Sequence, residues 1–217
     1  GCALCIREEI YASDHPMVLA TKNNIAQVYA SEERYGEAIS LFETVIREYR
    51  ENSTEDSAFL ATVYDNLSTA YREMERYEDA IDICTEGLNI RKDIYGKRSL
   101  DYAISLNNLA LIYYEMGILN DAADIFSEAL AIKKETLPEI HGQISIGYFN
   151  LGLVYDKLHR DNEALENYRA SMEIDNELEA YEDVLLTAEY IAEIYERNDM
   201  PEDAEAYRTL CSKDDVH

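Results

Sequence analysis

The chain has 217 residues and is strongly acidic: 45 Asp and Glu residues against 19 Lys and Arg residues give a formal net charge of −26. Such a charge repels nucleic-acid phosphates and anionic membrane surfaces, and it favours cationic partners. No stretch approaches the roughly 18 or more apolar residues of a membrane-spanning helix, so binding to nucleic acid or to membranes is not expected.

The first element predicted along the chain is part of a helix that recurs later in the sequence. The segment LCIREEIY at residues 4–11 aligns with LNIRKDIY at residues 88–95. We therefore expect residues 1–13 to belong to the second helix of an upstream repeat, in a fragment of a longer protein. Cys2 and Cys5 form a CxxC pair there without a second pair or a histidine at ligand spacing, which favours ordinary helix residues over a metal site.

From residue 14 onward the sequence repeats, with a period of 42 residues and of 40 at the last step. Four kinds of residue recur in register: a tyrosine, an alanine, a branched apolar residue and a small residue beside it. These columns are Tyr29, Tyr71, Tyr113, Tyr155 and Tyr195; Ala38, Ala80, Ala122, Ala164 and Ala204; Ile25, Leu67, Leu109, Leu151 and Ile191; and Ala26, Ser68, Ala110, Gly152 and Ala192.

Each repeat is predicted to be two helices joined by a short turn. The predicted repeats are residues 14–55, 56–97, 98–139, 140–179 and the atypical terminal 180–213, followed by a tail at 214–217. Small residues on both helices allow their backbones to approach closely, and each repeat buries its apolar face only by stacking on the next. The predicted fold class is therefore all-α, an α-solenoid of antiparallel helix pairs.

The columns resemble the tetratricopeptide repeat, which has a tyrosine and small residues on its first helix and an alanine on its second. The 42-residue period and the segment LNNLALIYYEMG at residues 106–117 resemble the kinesin-light-chain class of these repeats. The resemblance implies a right-handed superhelix whose first helices line a concave groove.

One asparagine occupies the same first-helix position in four repeats: Asn24, Asn66, Asn108 and Asn150. Asparagine is a poor residue for a helix interior, and this position points away from the packing stripe because it lies about 200° around the helix from it. An amide both donates and accepts hydrogen bonds, so a row of them could hold the backbone of an extended ligand. In the families that the sequence resembles, the matching asparagine does so. Alternatively, each asparagine bonds a neighbouring helix and fixes the stacking.

Seven neighbouring residues are predicted to supply ligand specificity in the groove: Gln27, Asn107, Leu111, Tyr114, Phe149, Leu153 and Tyr190. Together they run from polar to apolar and aromatic residues, and Glu189, Glu193 and Glu196 around Tyr190 make the last part of the groove acidic. The predicted ligand is a protein or peptide segment with an apolar or aromatic anchor and basic residues. Core packing is the alternative role for the aromatic members.

The sequence offers no phosphate-binding glycine loop and no set of residues for nucleophilic catalysis. We therefore predict a non-catalytic scaffold module in the cytoplasm that binds a protein or peptide and needs no cofactor. Two alternatives stay open. One is a regulatory receptor for a short signalling peptide, and the other is a structural solenoid that self-associates through bare repeat ends.

Overall fold

A computed structural model describes residues 15–52 and 57–212, and within them the chain forms ten helices and no strand. The helices are α1 (Pro16–Ser31), α2 (Tyr35–Asn52), α3 (Ala58–Glu73), α4 (Tyr77–Tyr95), α5 (Leu100–Glu115), α6 (Leu119–Thr136), α7 (Gly142–Lys157), α8 (Asp161–Glu177), α9 (Tyr181–Arg197) and α10 (Pro201–Ser212). None of these helices is long and apolar enough to cross a membrane.

The chain divides into two compact units, Gly1–Ile112 (unit 1) and Tyr113–His217 (unit 2). In unit 1, α1 packs on α2, α2 on α3, and α3 on α4; in unit 2, α6 packs on α7, α7 on α8, α8 on α9, and α9 on α10. The all-α class and the solenoid of helix pairs are confirmed. The predicted repeat boundaries stay predictions, and the upstream helix at 1–13 and the tail at 214–217 lie outside the described residues.

The same turn follows each first helix, where the first helices are α1, α3, α5, α7 and α9 and the others are the second helices. One residue of each turn has a positive φ of 57–77°: Glu33, Glu75, Gly117, His159 and Asp199. The next residue donates its backbone N–H to the carbonyl of the recurring tyrosine, at 2.9 Å in all five turns. This bond satisfies a carbonyl that the helix end would otherwise leave without a partner.

Side chains cap the starts of four first helices. The Nδ1 atoms of His15 and His141 accept the N–H groups of Met17 and Gln143, at 3.2 and 3.0 Å. The hydroxyls of Ser57 and Ser99 each accept the backbone N–H group of the residue three positions further along the chain, at 3.2 Å. Each cap satisfies an N–H group that has no partner within the helix.

The recurring small residues form the closest contacts of the core. All members of the alanine column are at most 2% exposed. In the fourth repeat, a Cβ atom on Gly152 would lie 2.5 Å from ring carbons of Tyr168, so glycine is what lets that ring enter. The predicted close approach of the paired helices is therefore present at this position.

Candidate functional site

The asparagines of unit 1 lie on successive first helices, and one of them is hydrogen bonded to a side chain of the preceding first helix. Asn66 Nδ2 donates to Asn23 Oδ1 at 3.1 Å. Asn108 acts to lower the pKa of the Asp65 carboxylate, so its amide lies near that group. Asn24 is exposed. The helix-to-helix bond of the structural alternative is thus present for Asn66, and it orients the amide of this half-buried residue.

The carboxylate of Asp65 belongs to a buried polar network. It forms an ion pair with Arg91, and both residues are 7% exposed. Arg91 Nη1 donates to Ser105 Oγ at 2.7 Å, and that hydroxyl donates to Asp65 Oδ1 at 3.1 Å. Burial raises the pKa of Asp65, while Arg91, Ser105 and Asn108 act against the rise. Unit 1 therefore neutralises its buried charges internally.

The other predicted site residues of unit 1 are less buried. Gln27 is exposed on α1, and Asn107 and Leu111 are half-buried on α5. The structure thus places them on the same first helices as the asparagines. None of these positions is packed away from solvent.

The predicted residues of unit 2 form a different surface, made mainly of rings. The ring centroids of Phe149 and Tyr190 are 5.4 Å apart in an edge-on contact, and both pack on Tyr168. Leu153 packs against the same cluster. Phe149, Leu153 and Tyr190 are all half-buried, so the cluster serves the core and also reaches the surface.

The other two predicted site residues of unit 2, Tyr114 and Asn150, lie outside this ring cluster and differ in their exposure. Lys157 Nζ lies 4.5 Å from the ring centroid of Tyr114, a cation–π contact, and Tyr114 is half-buried. Asn150, in contrast, is only 8% exposed. The fourth asparagine is therefore buried, whereas Asn66 and Asn108 are half-buried and Asn24 is exposed.

A pocket of about 210 Å³ opens beside this cluster, between α7, α8 and α9. Its apolar lining includes Ile146, Phe149 and Leu186, of which the first and last are 49% and 45% exposed. Its buried lining includes Asp175, which is 4% exposed. Burial raises the pKa of Asp175, and the nearby Asp183 raises it further.

Sequence reasoning did not select Ile146, Asp175 or Leu186. The sequence did contain a pattern that marks Asp175, because Asp175 stands 42 residues after Lys133 and 84 residues after Arg91. This column places a charged residue on the second helix of three successive repeats, and all three are buried. A recurring charge within an apolar helix face is a position to inspect for a polar partner.

The middle member of that column, Lys133, is 1% exposed on α6. Burial lowers the pKa of its ammonium group to about 8. The described residues include no group of three His, Cys, Asp or Glu side chains arranged to hold a metal ion.

Comparison with known proteins identifies the repeats. Models of the tetratricopeptide repeat match residues 18–53, 59–135 and 147–178, which together span about two thirds of the chain. No curated protein matches the sequence.

Several solved structures share the fold at low sequence identity. The crystal structure of BtubC (BKLC) from P. vanneervenii gives a TM-score of 0.84 at 18% identity, covering 99% of this chain and 89% of that one. A putative kinesin light chain with nearly identical TPR-like repeats from Podosopora anserina gives 0.79 at 19% identity, covering 94% and 99%. The Rap conjugation gene regulator of the plasmid pLS20, solved in complex with the Phr* peptide, gives 0.71 at 18% identity, covering 89% and 52%. The chain belongs to the tetratricopeptide repeat family, and its repeats are similar to those of kinesin light chains.

Proposed function

We propose that this chain is a non-catalytic binding module that holds an extended segment of a partner protein or peptide on its first helices. The tetratricopeptide fold and its likeness to a Rap regulator solved with a peptide support a protein-binding scaffold. In this proposal, the asparagines of unit 1 are one binding surface and hold ligand backbone. The ring cluster of unit 2 is a binding surface of its own, for an apolar or aromatic residue of a ligand. The negative charge of the chain favours basic residues in the ligand.

The observation that carries the proposal is the row of Asn24, Asn66 and Asn108 on three successive first helices. An asparagine amide has two N–H donors and a carbonyl with two lone pairs. The bond from Asn66 to Asn23 uses one of these donors. This bond therefore orients the amide of Asn66 while leaving it hydrogen-bonding capacity for a peptide unit.

The expected affinity follows from these contacts. Three amide hydrogen bonds contribute about 1 kcal/mol each, and one buried apolar anchor contributes about 1.5–3 kcal/mol. Association entropy opposes binding, so a dissociation constant in the micromolar range or weaker is expected. A module of this affinity would assemble or regulate partners reversibly.

A peptide-display selection against the whole chain tests the proposal. The affinities of the selected peptides are then measured for the wild type and for a triple variant, Asn24→Ala, Asn66→Ala and Asn108→Ala. We expect binding by the triple variant to weaken by about 10- to 100-fold, because up to three backbone bonds of ~1 kcal/mol are lost.

A matched control removes three exposed asparagines from second helices: Asn120→Ala, Asn162→Ala and Asn176→Ala. It changes composition in the same way and is expected to bind like the wild type. Helicity and melting temperature must be similar in both triple variants. If the selected peptides bind the first-helix variant as tightly as the wild type, the asparagines do not hold the ligand and their role is structural.

A receptor for a free signalling peptide is a second candidate function. The observation that favours it is the likeness to the Rap regulator solved with the Phr* peptide. A receptor differs from a scaffold in that a short free peptide suffices to change its conformation. A saturable rise in melting temperature with the isolated selected peptide, together with altered hydrogen exchange away from the bound face, would support the receptor.

A further inference from the structure

The pocket between α7, α8 and α9 has a buried polar interior and an apolar rim. Ser145, Ser171 and Thr187 line it and are at most 2% exposed, whereas Ile146 and Leu186 stand half in solvent. Its volume of about 210 Å³ is below the roughly 300–1,000 Å³ of typical small-molecule sites. The pocket therefore has the size of one side chain rather than of a cofactor.

The hydrogen-bonding neighbours of the Asp175 carboxylate in this pocket are neutral serine hydroxyls. Ser171 Oγ approaches Asp175 Oδ2 at 3.4 Å, a long hydrogen bond. The same hydroxyl lies 3.1 Å from the carbonyl oxygen of Ser145 and 2.9 Å from Ser145 Oγ. Ser145 can donate its hydroxyl proton to Ser171 Oγ while Ser171 donates its own to Asp175, and both hydroxyls act against the rise in the pKa of Asp175. The carboxylate therefore has neutral hydroxyl donors around it rather than a positive charge.

No cation within the described part of the chain pairs with Asp175. The contrast with unit 1 is direct, since Asp65 is buried to a similar degree and is neutralised by Arg91. A buried carboxylate without a counter-charge is costly. A cation entering from outside would remove that cost and would also be attracted by Asp183, an exposed residue that lines the same pocket.

We propose that this pocket binds an arginine or lysine side chain of a peptide, with its cationic head at Asp175. The aliphatic part of such a side chain would pack along Ile146 and Leu186, as long basic side chains do when they cover apolar surface with their charge directed to a polar group. An apolar ligand residue next to the basic one would contact Phe149. This inference rests on the proposed peptide-binding function and names the chemistry of one ligand position.

The proposal is tested with two small probes on the full chain, N-acetyl-Leu-Arg amide and N-acetyl-Leu-citrulline amide. Citrulline matches arginine in shape and lacks its charge. Each probe is titrated while the backbone amide signals of the ¹⁵N-labelled protein are followed by NMR. We expect saturable shifts at Ile146, Phe149 and Thr187 and about tenfold weaker binding of citrulline, because charge-assisted hydrogen bonds are roughly twice as strong as neutral ones.

Two variants separate the pocket from the general acidity of the chain. Asp175→Asn is expected to remove the preference for arginine over citrulline. Glu202→Gln, an equal charge change at an exposed position on α10, is expected to leave the preference intact. Equal binding of the two probes to the wild type, or an arginine preference that persists in Asp175→Asn, would overturn the proposal. If Asp175→Asn does not fold, the comparison of the two probes on the wild type still decides.

The probes also keep this inference distinguishable from the proposed function. A capped dipeptide is too short to span successive asparagines, since stacked helices lie roughly 8–10 Å apart and an extended chain advances about 3.3 Å per residue. An unoccupied pocket would thus leave the display result standing, and a failed display selection would leave the dipeptide result standing.

Discussion

The two units solve the problem of a buried charge in opposite ways. In unit 1 the second helix α4 supplies Arg91, and the first helices supply Asp65 and Ser105, so the charges neutralise each other. In unit 2 the same repeat position on α8 holds Asp175, which has serine hydroxyls as neighbours and, within the described residues, no cation paired with it. The comparison teaches that one position of the repeat can carry a charge that is paired inside the unit, as at Arg91, or a charge without such a pair, as at Asp175. The second case is the one that we propose for binding.

The largest expected effect comes from breaking the internal pair of unit 1. Arg91→Met leaves the carboxylate of Asp65 buried without its cation, and loss of one partner of a buried pair typically costs about 3–5 kcal/mol. We therefore expect a marked loss of stability, measured by urea denaturation followed through circular dichroism.

The neighbouring Lys92→Met is the matched control, because Lys92 is exposed on the same helix. It should change the free energy of unfolding by less than about 0.5 kcal/mol. The double variant Arg91→Met, Asp65→Leu should recover much of the loss, since it removes the orphaned carboxylate. Equal midpoints for Arg91→Met and Lys92→Met would show that the pair does not stabilise unit 1.

The second prediction concerns Lys133, the member of the column between Arg91 and Asp175. Its pKa is about 8 in the folded chain against an ordinary value of 10.5. Lys133→Met should therefore stabilise the protein at neutral pH, by up to about 3 kcal/mol, since each pKa unit corresponds to about 1.4 kcal/mol. The exposed Lys134→Met serves as the control.

The pH dependence of this effect has a definite sign. Because the folded pKa of Lys133 is lowered, the unfolded chain binds more protons between about pH 8 and 10.5. The contribution of Lys133 to stability therefore rises with pH across that window, and its cost is fully present below pH 8. The difference in melting temperature between Lys133→Met and the wild type should be large at pH 7 and shrink towards pH 10. A constant difference would contradict the depressed pKa.

Much of this fold could be predicted from the sequence because the same pattern of packing residues recurs in every repeat. The small residues and tyrosines recur in register, so the helix pairs and their close contacts could be read without a structure. The bond from Asn66 to Asn23 and the proximity of Asn108 to Asp65 could only be raised as an alternative. They depend on the orientation of side chains on helices that lie 43 residues apart in sequence.

The pocket at Asp175 could not be predicted from the sequence, for a related physical reason. Its lining comes from three helices, and the burial of a carboxylate is set by neighbours that a one-dimensional pattern does not place. The charged column of Arg91, Lys133 and Asp175 marked the position, but only the packed helices show which charge is neutralised. The accessibility of the asparagines likewise differs between repeats although their sequence position is the same.

The smallest expected change in the free energy of unfolding comes from substitutions in the recurring turns of the two units. Glu75 in unit 1 and Gly117 in unit 2 hold the same turn position, with φ values of 57° and 77°. A side chain in this left-handed region costs roughly 1–2 kcal/mol, whereas glycine adopts it without a steric penalty but loses more entropy on folding. Glu75→Gly should therefore raise the free energy of unfolding by about 0.5–1 kcal/mol, and Gly117→Ala should lower it by about 1 kcal/mol.

Gly36→Ala is the reference for a glycine within a helix, because Gly36 lies in α2 and an added Cβ would have nothing within 4 Å. This substitution should raise the free energy of unfolding by about 0.5–1 kcal/mol. The midpoints of urea denaturation of the three variants, each compared with that of the wild type, test these expectations. A loss of stability in Glu75→Gly would mean that the turn is held by the hydrogen bond from Arg76 to the carbonyl of Tyr71 so firmly that the residue between them bears no strain.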